Sequence, residues 1–61
     1  MLTFEIRLLN GEGHTAMIHV TACDTVDEAR ERLAGIVGVH YVRYEIWQGG
    51  HKVLEGPADI A

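Results

Sequence analysis

Cysteine, proline, tryptophan and phenylalanine occur once each in these 61 residues, and basic residues number only five. The single thiol, Cys23, cannot close an intramolecular disulfide, so the expected compartment is a reducing cytoplasm. Five basic against nine acidic residues give a formal net charge of -4 and a pI near 5.4. Such a chain lacks the cationic field that supplies most nucleic-acid affinity, and nucleic acid is not an expected partner. No apolar run approaches the roughly 20 residues that span a bilayer, and no basic amphipathic segment suggests surface attachment, so no membrane role is expected. The residues after Met1 show none of the basic, apolar and cleavage regions of a secretory signal. The length fits a single small domain over 1–61 with a thin core, since a chain of this size buries only about 60% of its unfolded surface.

One helix is written into the chain, and strand-like alternation surrounds it. Thr25 with Glu28 three residues on forms a capping box, and Asp27 and Glu28 place negative charge on the first turn, where the macrodipole favours it. Glu28 and Arg32 are spaced for an i,i+4 ion pair. Val26, Ala29, Leu33, Ile36 and Val37 make one apolar stripe, and Gly38 is the preferred left-handed stop, so the spacing predicts a helix over 26–37 packed by one face.

Before the helix, Leu2, Phe4, Ile6 and Leu8 alternate with Thr3, Glu5, Arg7 and Leu9 as in a half-buried strand. Ala16, Ile18, Val20 and Ala22 alternate in the next. A three-residue loop, Gly11-Glu12-Gly13 with Gly13 left-handed, would pair Leu8 with Ala16, Ile6 with Ile18 and Phe4 with Val20, all facing the helix. After the helix, Val42, Tyr44 and Ile46 form the apolar set of a third strand. Gln48-Gly49-Gly50-His51 is turn chemistry, followed by a short fourth strand from His51 to Glu55 that Gly56-Pro57 ends. A two-residue Gly49-Gly50 loop opposes Ile46 to Val53, and a three-residue loop including His51 opposes it to Leu54; the register stays open. Residues 58–61 read as a frayed tail.

The order strand-strand-helix-strand-strand predicts an α+β fold. A right-handed crossover through the helix would set the last strand parallel to the first, both central, giving a ββαββ β-grasp whose four-stranded mixed sheet has the order 2-1-4-3. Met1 to Phe4, the Gly11 turn, Ile18 and Val20, Asp24-Thr25-Val26 entering the helix, and Ile46 to Gly49 with Leu54-Glu55 resemble the ubiquitin-like domains of the β-grasp superfamily. In element lengths the chain is also similar to the immunoglobulin-binding domains of protein G. The resemblance implies either an interaction module or a carrier or accessory subunit in the mould of ubiquitin-like sulfur carriers. Carriers end in a diglycine activated at its carboxylate, whereas this chain ends Pro57-Ala58-Asp59-Ile60-Ala61 and its Gly49-Gly50 is internal.

Candidate chemistry is sparse. His14 and His19 are five apart on one strand and point to opposite faces, and His40 and His51 fall at a junction and a turn, so no metal site is expected. Cys23 reads as a packed thiol. Glu5 and His19, opposite one another in the expected register, read as a charge pair and not an acid-base couple. The Gly11-Glu12-Gly13 turn leads into a strand and so is not a phosphate loop. No catalytic residue, cofactor or enzyme activity is expected. The informative surplus is the sheet face away from the helix, where Leu9, Met17, Tyr41 and Trp47 would point outward among Thr3, Glu5, Arg7, His19, Arg43 and Glu45. Scattered apolar side chains are ordinary on protein surfaces. The functional reading is a protein-binding face of Met17, His19, Tyr41, Arg43 and Trp47, contacting a second copy of the chain, as a homodimer, or another protein in a bacterial-style complex.

Overall fold

The structure is a computed structural model that describes residues 1–35 and 41–58. Its strands are β1 (Leu2–Leu9), β2 (Thr15–Cys23), β3 (Arg43–Gln48) and β4 (His51–Pro57). Between β2 and β3 lies helix α1 (Val26–Glu31), which tightens into a 3-10 turn over Arg32–Gly35. The α+β class and the order of elements agree with the pattern. The topology does not: the sheet order is β2-β1-β3-β4, and β1 pairs antiparallel with β3, not parallel with the last strand. The expected β-grasp order 2-1-4-3, with its mixed sheet, is therefore corrected to an all-antiparallel sheet. The reason lies in β4. Its inward side carries Leu54, Gly56 and the exposed His51, and Pro57 has no N–H to give a second neighbour, which suits a sheet edge. In β3, Tyr44 and Ile46 are both buried and occupy a central position. The fourth strand also runs on through Pro57. Ala58, assigned to a frayed tail, is 1% exposed and donates its N–H to the Val42 carbonyl at 3.0 Å.

The first hairpin turns as the glycines require, but its strands slip. Gly13 adopts φ 84, Asn10 N–H donates to the His14 carbonyl at 2.9 Å, and Leu9 stands opposite Thr15. A bulge at Ala16 then sets Leu8 opposite Met17, Ile6 opposite His19 and Phe4 opposite Thr21. One inserted residue exchanges the faces of everything beyond it. Met17, His19, Thr21 and Cys23 thus face the helix, while Ile18 and Val20 are turned out at 55% and 61% exposure. The expected pairings of Ile6 with Ile18 and Phe4 with Val20 are overturned, as is that of Glu5 with His19, since Glu5 stands opposite Val20. In the second hairpin, both Gly49 (φ 57) and Gly50 (φ 83) take the left-handed conformation that a two-residue loop needs. Val53 bulges out, so that Ile46 meets Leu54 and Trp47 meets Lys52. The two registers open in the sequence are reconciled: the loop is the shorter one and the partner is Leu54.

Thr25 caps α1 as expected, accepting from the Glu28 amide at 3.2 Å, while the Glu28 carboxylate takes the Asp24 amide at 3.4 Å in place of that of Thr25. The α-helix stops at Glu31, short of the predicted end at Val37; Ile36 to His40 lie outside the described residues. Arg32 does not turn to Glu28. It donates across to the Thr21 hydroxyl and, at 3.1 Å, to the Ala22 carbonyl, and so satisfies the buried polar side chain of Thr21. Ala29 and Leu33 pack on Phe4, Ile6, Leu8, Cys23, Tyr44 and Ile46, and Met17, Val26, Tyr41 and Leu54 close the margins.

Candidate interaction face

All the core side chains lie on the helix side of the sheet, so among the described residues nothing covers the other side. Thr3, Glu5, Arg7 and Leu9 of β1 run down its middle. Ile18 and Val20 flank them on β2, and Trp47, Glu45 and Arg43 on β3, with Lys52 and Glu55 of β4 beyond.

The β1, β3 and β4 part of this face is a continuous ladder of partners. The Arg7 guanidinium pairs with Glu5 and lies over the Trp47 ring, 4.3 Å from its centroid. Trp47 Nε1 donates to Glu45 Oε1 at 3.0 Å. Glu45 and Glu55 are directly opposed, a like-charge pair that would be unfavourable alone. Lys52 relieves it, reaching Glu45 at 3.6 Å and Glu55 at 3.0 Å, and Arg43 reaches Glu55 at 3.5 Å. The Lys52 hydrogen bond lowers the Glu55 carboxyl below its ordinary range, and the Glu55 hydrogen bond raises the Lys52 ammonium above its own. Between Arg7, Trp47, Val20 and the Gly49-Gly50 turn the surface dips into a shallow cavity of about 280 Å³, lined also by Thr3 and Glu5.

Of the five residues assigned to a binding face, the structure brings only Arg43 and Trp47 to it. Met17 and His19 are on the helix side because of the Ala16 bulge. Tyr41 packs against the core margin, its hydroxyl 3.6 Å from Met17 Sδ. Trp47 opposes Lys52 and sits on a central strand, whereas the expected order 2-1-4-3 would have put its strand at an edge. The residues that alternation sent inward, Ile18 and Val20, are the exposed apolar pair. A bulge has no signature in period-two patterning, so no signal in the chain distinguished the two faces of β2.

The two sheet edges differ. β4 is guarded by Lys52, by the Val53 bulge and by Pro57, the usual devices against edge-to-edge pairing. β2 beyond its bulge carries no Asp, Glu, Lys, Arg or Pro through Cys23. Compared with family models, with curated proteins and with solved structures, the chain matches none. Among the described residues no three His, Cys, Asp or Glu side chains are grouped to hold a metal ion, and no helix is long and apolar enough to cross a membrane.

Proposed function

We propose that this chain is a small non-enzymatic protein-interaction module of the cytoplasm that works as a homodimer through β2, whose exposed apolar residues lie on the open side of its sheet. The observation that carries the reading is the pair Ile18 and Val20, more than half exposed on an unguarded edge strand while His19 and Thr21 take the helix side. Fully burying side chains of this size is worth roughly 1.5 to 3 kcal/mol each, a large sum to leave in water on so small a domain. Charge favours a like partner at this spot, because β2 has no formal charge in a chain of net -4. Two copies meet there with no like charges set against each other on the strand itself, and only the overall charge of -4 on each opposes their approach. Arg43 and Trp47 belong to the same face but are already engaged by Glu55, Arg7 and Glu45, and form a stiff platform beside the apolar strip. A sulfur-carrier role draws no support from the sheet order.

Sedimentation equilibrium tests the reading. The expected mass is twice the 6.8 kDa of one chain, and Ile18→Lys with Val20→Lys should return it to one chain with unchanged far-ultraviolet circular dichroism. A wild-type chain that stays monomeric at high micromolar concentration would remove the homodimer.

A further inference from the structure

We propose that the second copy adds by strand pairing along the free edge of β2, antiparallel about a two-fold axis at His19, so that two four-stranded sheets become one of eight strands. This rests on the homodimer reading and adds its geometry. Two hydrogen bonds orient the backbone. Asn10 N–H donates to His14 across the first hairpin, and Val42 N–H donates to the Leu9 carbonyl on the other side. Successive residues of a strand direct their amide and carbonyl groups to alternate sides, so even-numbered β1 residues bond to β2 and odd-numbered ones to β3. Phe4, Ile6 and Leu8 therefore engage Thr21, His19 and Met17, whereas Ile18, Val20 and Ala22 aim their backbone groups away from β1. Among the described residues no strand receives them.

The Ala22 carbonyl is the exception, because the Arg32 guanidinium already occupies it at 3.1 Å. That selects the register. Pairing Val20 with its own symmetry mate would set Ile18 against Ala22 and compete with Arg32. Pairing Ile18 with Val20 of the other copy uses only amides and carbonyls that no group among the described residues engages, and forms both exchanges on either side of the axis. The same register sets the two Ile18 and two Val20 side chains beside one another on the outer face, drawing the exposed large apolar residues of the strand together. The uncharged edge excludes ionic steering of an acidic or basic peptide, and the strand's apolar outward side complements a copy of itself.

The decisive variant keeps every side chain. A chemically assembled full-length chain with N-methyl-Val20 loses one outward N–H per copy while the amides bonded to β1 are untouched. Circular dichroism should be unchanged, and the dimer dissociation constant should rise about tenfold or more, because a hydrogen bond is lost on each side of the axis and the methyl groups separate the strands. In the unmodified protein, exchange of the Ile18 and Val20 amides should slow as concentration rises through the dissociation constant, while that of Arg7 stays constant. If the dimer forms but exchange at Ile18 and Val20 ignores concentration, or N-methylation leaves its affinity intact, strand addition is wrong and the homodimer reading survives with another geometry. If no dimer forms at all, both fall together.

Discussion

At the scale of single residues, the thin core makes each buried side chain count. Leu33 is fully buried between the 3-10 turn and the sheet, so Leu33→Ala should cost about 2 to 5 kcal/mol, measured by urea unfolding. A change within about 0.5 kcal/mol would show that the turn does not pack on the sheet. The Lys52–Glu55 pair sets a pH dependence. Glu55 is lowered, so its contribution is present above the ordinary carboxylate range and lost as pH falls through the lowered value. Lys52 is raised, so its contribution is present below its ordinary 10.5 and lost as pH rises through the raised value. Glu55→Gln removes both, and the gap between its urea midpoint and that of the wild type should be widest near neutrality and close toward either extreme. A gap independent of pH would mean the pair contributes nothing. Both side chains are well exposed, so the effect is small and shrinks with salt.

Among the elements, β2 is the one whose placement most affects the surface, and its bulge is the device. Loop geometry and face are separable here. Asn10-Gly11-Glu12-Gly13 sets Leu9 opposite Thr15, and only then does Ala16 step out. Deleting Ala16 should leave a regular ladder, with Leu8 opposite Met17 and Ile18 and Val20 still outside. Nuclear Overhauser contacts between the side chains of Leu8 and Met17 should persist in the deletion variant. Were the unbulged register the native one, the same deletion would turn Met17, His19 and Thr21 inward for the first time, and the wild-type contacts would instead join Leu8 to Ala16. The helix was legible at its start, where Thr25 and the acidic first turn specify a cap through local chemistry. Its end was less so. Arg32, spaced for Glu28, finds Thr21 and Ala22 eleven and ten residues back, a choice that depends on which face of β2 lies beneath it.

For the whole molecule, the net charge of -4 and the uncharged β2 edge predict a salt response opposite to that of a charge-steered complex. Screening relieves the mutual repulsion of two acidic copies and weakens no ion pair in the strand-added interface. Dimer affinity should therefore rise modestly between low and physiological ionic strength, as read by sedimentation. A fall would place ionic contacts, such as those of Arg43 and Glu55, at the junction. The same charge balance predicts that any association with nucleic acid disappears with modest salt in a filter-binding titration; salt-resistant micromolar binding would contradict it.

Local chemistry and alternation were enough to place the elements: Thr25 at the helix start, Gly13, Gly49 and Gly50 at the turns, and Phe4, Ile6, Leu8, Tyr44 and Ile46 on the buried side. Each of these depends on neighbours a few residues away or on the pleat of a single strand. Strand order and the face of β2 were decided only in three dimensions. Pro57 and the weak inward side of β4 did carry a readable signal for an edge, but one outweighed by the expectation of a parallel crossover. The Ala16 bulge carried none, because inserting one residue leaves the alternation on each side intact and changes only how the two sides are joined. That single step exchanged Met17 and His19 for Ile18 and Val20 on the outer face, because a strand's two sides are equivalent until the sheet and helix pack against one of them.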